Sequence, residues 1–552
     1  RNGIFTPSMF SFNDVIIIFL AVMITDVLLL DVFNTLGLPT STTVSVIFSL
    51  LGASVVLAVY KVYVSGDGFD TLGNYINTEK ASEIVYSILL SVALSFALGS
   101  LVQYVSRLIF TFHIEKRYKY VASVFGGVAM TAITFFILVK GLKSITFVPS
   151  EVKDFIKESP FTIIAYSLVL WTIVCQLLIS VFKYSIFKFI IIVGTFGLAL
   201  AFAGNDLVNF IGVPIAAYQA FEIWAAPGQT VGATEFMMSG LEKENLPAPF
   251  IFLALAGLVM VYTLWTSKKA KSVIETEQNL SRQGEGNEKY NANTLSRNIV
   301  RGFMYLGNII SFILPKSLQK KLDAQFVQPE YTGKRDEQPM FDMVRASVNL
   351  IVASILISVG TSMKLPLSTT YVTFMVAMGS SFADRAWDRE SAVYRVAGVF
   401  NVIGGWFVTA LAAFLSSAII AYILFIGEVF AFFAFMIIVA IFFYRSNQIH
   451  KKKVKEEEEI KKLRKEDIVT LKEMITESSS QISKVLRKTS ALYSNVVDNL
   501  GLQDLAKLKE NKKALKKLEK EIDELKSNVF YFIKNLDENS VEASKFYILI
   551  LG

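Results

Sequence analysis

Along most of this chain apolar residues run on for about 20 residues or more before a polar or basic link interrupts them, which is long enough to cross a bilayer as a helix. Spans are expected at 84–112, 119–142, 160–182, 186–218, 250–266, 396–424 and 429–445. The span at 186–218 carries Gly204 and Pro214, and a helix broken inside the membrane is expected there. Irregular backbone at that depth is tolerated only where it lines protein or a wet cavity. Two further apolar pairs, 13–36 with 41–62 and 342–362 with 368–383, fit either re-entrant hairpins or pairs of full spans. After residue 446 the pattern changes. Leu515, Leu518, Ile522, Leu525, Val529 and Leu536 recur at three-four spacing with charges between them, and 468–500 carries a similar stripe, as in a helical bundle or coiled coil.

Composition narrows the class. Of 552 residues, 53% are hydrophobic and 18% charged, too few charges to coat the several domains a soluble chain of this length would form. The charges concentrate at 268–337 and 445–540. The single cysteine, Cys175, lies in an apolar run and reads as a small apolar packer, so there is no disulfide framework. His113 and His450 sit in basic flanks. No metal-ligand spacing, nucleotide loop or nucleophile–base set appears, so no cofactor and no enzyme activity are expected. The net charge of +7 is mostly loop lysine and suits a cytoplasmic membrane face better than nucleic acid. The chain opens at Arg1 and closes in the apolar stretch 546–552, so both ends read as cut from a longer protein.

Charge also orients the spans. Lys116, Arg117 and Lys119, then Lys183 and Lys188, then the loop 268–340 and Lys451–Lys453 should face the cytoplasm of a cell membrane. The links at 63–82 and 219–249 should lie outside, while 143–158 is undecided. With one crossing per span, the first apolar pair then opens from outside and the second from the cytoplasm, the mark of an inverted-topology repeat. The domains expected are 1–185, a first transmembrane repeat incomplete at its start; 186–445, a second repeat carrying the cytosolic loop; and 446–552, a cytosolic helical tail incomplete at its end. The fold class is all-α, a polytopic membrane protein. A homodimer is the expected assembly, and the tail is a place for cytosolic regulators. Arg107 and Arg345 are expected to snorkel at the cytoplasmic face.

The two apolar pairs also match residue by residue. Leu38-Pro-Thr-Ser-Thr-Thr43 has its counterpart in Leu365-Pro-Leu-Ser-Thr-Thr370, and thirteen positions after each proline stand Gly52-Ala53-Ser54 and Gly379-Ser380-Ser381. Proline suits the first turn of a helix. Ser41, Thr42 and Thr43, and Ser368, Thr369 and Thr370, would then occupy first turns, with free backbone N–H groups and the positive end of the dipole. Added hydroxyls make such turns anion sites without arginine. Two of them meeting from opposite faces suit a tetrahedral oxyanion. Between the pairs lies Gly204-Asn-Asp-Leu-Val-Asn209. A carboxylate at membrane depth costs roughly 2.5–3.5 kcal/mol and normally has a task. Asp206 could hold a sodium ion with Asn205 and Asn209, or accept a P–OH proton that sulfate lacks. Asp26, matched by Ala353 in the second copy, is either a coupling-ion group or a helix–helix hydrogen bond.

At these motifs, over roughly 12–425, the sequence resembles the inorganic phosphate transporter (PiT) family, whose repeats carry Gly-Ala-Asn-Asp-x-x-Asn and Pro-x-Ser-Thr-Thr-His signatures. The resemblance implies transport of phosphate with Na+ or H+ through the Asn, Asp, Ser and Thr side chains named above. The family's histidine is Val44 in one copy and Tyr371 in the other, and the first Gly-Asn-Asp element is missing, expected upstream of Arg1. The tail is similar to a PhoU-like helical domain. A sulfate carrier, or a membrane anchor or sensor displaying the tail, are the alternatives.

Overall fold

A computed structural model describes residues 3–36, 39–112, 118–139, 149, 151, 154–155, 158–242, 248–267, 294, 296–298, 300–302, 305, 315–327, 343–363, 365, 367–385, 389–465, 471–502 and 504–534. Leu38, Pro366, His113, Lys116, Arg117, Leu536, the terminal stretch 546–552 and most of the loop 268–340 lie outside the described residues. The described residues are helical, with short turns and two isolated bridges, Phe5–Ile76 and Ser11–Met237. They fall into two units, Arg1–His450 and Lys451–Gly552.

The first unit contains α1 (Phe12–Leu36), α2 (Thr42–Ser65), α3 (Thr78–Ile109), α4 (Tyr118–Ile133), α5 (Pro160–Ser180), α6 (Ile186–Ala225), α7 (Phe250–Thr266), α8 (Lys316–Gln325), α9 (Met343–Ser362), α10 (Thr369–Ala383) and the greater part of α11 (Arg389–Lys465). Seven helices among the described residues are long and apolar enough to cross a membrane: α1, α2, α3, α5, α6, α9 and residues 392–451 of α11. Their apolar residues go all the way round, so large side chains such as Leu90, Phe196 and Phe430 stay exposed on outer faces, as expected of helices solvated by lipid. α11 bends at Glu428, whose φ of 43° and ψ of −126° are non-helical. That bend falls between the spans expected at 396–424 and 429–445.

The expected break in 186–218 is not found. α6 runs from Ile186 to Ala225 as one helix with Pro214 inside it. A proline withdraws a single N–H from the helical ladder, and a helix of 40 residues has enough remaining bonds to continue past it. At 1.5 Å per residue α6 is about 60 Å long, and Asn205 and Asp206 sit at its midpoint.

Hydrogen bonds gather the N-terminal segment and two links at one end of the unit. Thr6 N–H donates to the Tyr75 carbonyl at 2.9 Å, Asn77 N–H to Ile4 at 2.9 Å, and Phe12 N–H to Phe236 at 2.8 Å. The links 63–82 and 219–249 therefore share an end. At this end Lys61 pairs with Asp14 at 2.6 Å.

Arg107 and Arg345 do not snorkel. Both are fully buried, as is Asp384 just past the end of α10. Arg107 Nε lies 2.5 Å from Asp384 Oδ1, its Nη2 lies 2.8 Å from Oδ2, and Arg345 Nη1 lies 3.8 Å from Oδ2. A guanidinium can be buried when a carboxylate offers two oxygens to its fork. The pair ties the end of α3 to the end of α10.

The paired glycines of the repeat have one job in two places. A Cβ on Gly52 of α2 would stand 2.1 Å from the Phe414 carbonyl oxygen of α11, and one on Gly379 of α10 would stand 2.3 Å from that of Phe96 on α3. Each hairpin's second helix thus packs backbone to backbone on the long helix that follows the other hairpin. A Cβ on Gly204 would meet nothing within 4 Å.

In the second unit α12 (Leu471–Gly501) and α13 (Leu505–Lys534) pack against each other. Asp504 starts α13 by accepting from the N–H groups of Ala506 and Lys507, both at 3.1 Å. Leu518 of the expected stripe is buried and Leu515 exposed.

Candidate functional site

Ser41 and Ser368 each end an extended stretch and begin a helix. Their φ and ψ are −105° and 121° for Ser41 and −95° and 109° for Ser368. Serine is among the best residues at this position because its hydroxyl replaces a missing helical acceptor. Ser41 Oγ accepts from Val44 N–H at 3.2 Å and Ser368 Oγ accepts from Tyr371 N–H at 3.2 Å. The first helical bonds follow, Ser45 N–H to the Ser41 carbonyl and Val372 N–H to that of Ser368, each 3.0 Å. This corrects the expectation that the serines sit inside the first turn behind a proline. Pro39 precedes the cap, the serine is the cap, and the two threonines that follow are the first helical residues. The amides of Thr42, Thr43, Thr369 and Thr370 precede the ladder, where the dipole's positive end is strongest.

The two helix starts meet against α6. Asn209 Nδ2 donates to Thr42 Oγ1 at 3.1 Å and to Thr43 Oγ1 at 2.8 Å. Thr43 Oγ1 in turn donates to the Leu367 carbonyl at 2.9 Å, a residue of the other hairpin's tip. Asn205 Nδ2 reaches the same carbonyl at 3.3 Å and Asp206 Oδ1 at 3.1 Å. Thr369 Oγ1 donates to the Asp206 carboxylate, 2.9 Å from Oδ1 and 3.0 Å from Oδ2. Asn205 and Asn209, four apart, share one face of α6, and that face bridges both hairpins.

Eight of the nine residues expected from sequence, Ser41, Thr42, Thr43, Asn205, Asp206, Asn209, Ser368 and Thr369, therefore occupy one region, linked by these bonds and caps. Thr370 contributes its first-turn amide, while its carbonyl accepts from Thr373 Oγ1 within α10 at 3.1 Å. The Leu367 carbonyl was not foreseen, because a backbone acceptor leaves no mark in the residue type. Thr40 was not foreseen either. Its Oγ1 lies 3.0 Å from that of Thr409 and ties the first tip to α11.

The neighbourhood offers an anion hydroxyl, amide and backbone N–H donors from several directions. It offers a proton or a cation one carboxylate, that of Asp206. Among the described residues there is no group of three or more His, Cys, Asp or Glu side chains placed to hold a metal ion.

Residues 1–276, half of the 552, match the sequence model of the phosphate transporter family. No curated protein matches. One solved structure, the sodium-dependent phosphate transporter, resembles this chain at 15% sequence identity with a TM-score of 0.40, covering 75% of this chain and 89% of that one.

Proposed function

The chain belongs to the phosphate transporter family and carries inorganic phosphate across a membrane, and from that premise we propose that phosphate is held where the two Ser-Thr-Thr helix starts meet the midpoint of α6. The observation that carries this reading is the bridge itself. Asn209 bonds the first helix start and Asp206 the second. The protein is a transporter and not an enzyme. In this reading the Thr42 hydroxyl and the first-turn amides donate to phosphate oxygens. The hydroxyls of Thr43 and Thr369 turn from Leu367 and Asp206 to do the same when phosphate enters, and Asp206, so released, accepts the P–OH proton. Ser41 and Ser368 set the helix starts. Sulfate brings no such proton, and an unpaired acceptor disfavours it.

The coupling ion is Na+ or H+. Asp206, Asn205 and Asn209 are the oxygen ligands a sodium ion would use. The segments 1–185 and 186–445 act as two inverted repeats around this point, a reading supported by the equivalent packing of Gly52 and Gly379. The loop 268–340 and the tail from 446 face the cytosol, where their lysines and arginines are favoured.

The test is uptake of labelled phosphate into liposomes containing the purified protein. Asp206→Asn and Thr369→Val should each reduce uptake at least tenfold, and a large excess of sulfate should leave parental uptake intact. Parental uptake in both variants would overturn the site, and strong competition by sulfate would overturn the role given to Asp206.

A further inference from the structure

We propose that Asp26, on α1, is the site at which this transporter carries a coupling proton; the proposal rests on the phosphate-carrier reading above. Asp26 lies in the middle third of α1 and takes no part in the bridge described above. Its Oδ1 accepts from Ser45 Oγ at 2.5 Å and from Ser49 Oγ at 3.4 Å. Both serines are fully buried on one face of α2.

The second repeat shows that the fold does not require this cluster. With Ser41 and Ser368 aligned, Asp26, Ser45 and Ser49 correspond to Ala353, Val372 and Val376. Those three pack together in a single buried apolar cluster. The same helix pair is thus built once with a carboxylate and two hydroxyls and once with an alanine and two valines. A stabilising apolar solution exists within the same protein, and a carboxylate at membrane depth is costly. All three positions changed character together, which points to one chemical task.

A proton fits better than a metal cation. A hard cation needs a cage of oxygen ligands, and here the helical carbonyls are committed to their ladders, leaving one carboxylate and two hydroxyls. A proton needs one acceptor. A serine hydroxyl donates to the ionised carboxylate and can turn to accept from the protonated one, so the pocket serves both states.

The position provides coupling. Ser45 lies one turn beyond the first helical residue, Thr42, about 5 Å along the axis of α2. An ionised Asp26 repels an anion at that helix start, and protonation removes the repulsion. Proton and phosphate then favour each other's binding reciprocally.

Among the described side chains, the other charged groups on the elements packed around α1 have partners of their own or face outward; Arg395 and His450 of α11 are buried and belong to the first kind. Asp14 pairs with Lys61, Asp31 accepts from Ser446, and Asp206 accepts from Thr369 and Asn205. Lys188 and Glu222 of α6 and Glu428 and Arg445 of α11 are exposed, as are Tyr60, Tyr63, Tyr218, Tyr422 and Tyr444.

The test compares two activities of the purified protein in liposomes: phosphate–phosphate exchange at equal pH, and net phosphate uptake driven by an imposed pH gradient without sodium. Identical buffers in every arm make phosphate's own titration common to all. The parent should perform both. Asp26→Asn should keep exchange within about twofold and lose at least nine-tenths of gradient-driven uptake. The triple variant D26A/S45V/S49V, which copies the second repeat's apolar set, should behave the same way and guards against misfolding of the single variant. Gradient-driven uptake at the parental level in either variant overturns the proposal, as does a parent that exchanges phosphate but ignores the pH gradient. Absence of exchange in the parent contradicts the carrier reading instead.

Discussion

Ser41 and Ser368 cap their helices through their own oxygens, which leaves the hydroxyls of the neighbouring threonines to meet Asn209 and Asp206 of α6. This division of labour was half visible in the sequence. Two copies of Ser-Thr-Thr after a proline mark two helix starts, but which residue caps is decided by backbone angles. Arg107 and Asp384 were not legible as a pair, because they stand 277 positions apart and each sits beside a helix end where a surface arginine is common. Their burial makes a firm expectation. Asp384→Asn strips a carboxylate from Arg107 and weakens the hold on Arg345, whereas Arg107→Met leaves Asp384 with Arg345. Breaking a buried pair costs about 3–5 kcal/mol. Thermal unfolding of the detergent-solubilised protein should show a large loss for both variants, greater for Asp384→Asn. Melting within a degree of the parent would mean that the cluster is not the buried latch it resembles.

At the scale of helices, the apolar pattern located the membrane-capable helices among the described residues, because a helix in lipid is apolar all round, but not how far α6 and α11 continue past the expected spans. The interruption inferred from Gly204 and Pro214 was wrong, since both residues are tolerated in a helix whose neighbours supply the remaining support. The repeated glycines were visible as a pattern but not as a contact, because the partner backbone belongs to a distant stretch. Gly52→Ala and Gly379→Ala push a methyl into a neighbouring carbonyl and should each destabilise the protein by about 1–3 kcal/mol, as overpacking does. Gly204→Ala meets open space and gains helix propensity of about 1 kcal/mol. Melting curves of the three variants should therefore split, two below the parent and one at or above it. Equal behaviour at all three positions would remove the packing role assigned to the repeat.

At the scale of the whole molecule, the distribution of lysine and arginine anticipated that the links at 63–82 and 219–249 share a side, and hydrogen bonds from the N-terminal segment hold them at one end. It could not anticipate how the hairpin tips touch, since that depends on the carbonyl of Leu367 and on the depth of Asn205 along α6. The duplicated helix starts have meaning as a transport site only if both grip the same ion. Equilibrium binding of labelled phosphate to the purified protein, compared for Thr43→Val on one tip and Thr369→Val on the other, tests that claim most directly. Loss of a hydrogen bond to a charged group is worth about 1.5–3 kcal/mol, so each single change should weaken binding at least tenfold. Parental affinity in either variant would show that one tip does not touch the cargo and would contradict the shared site.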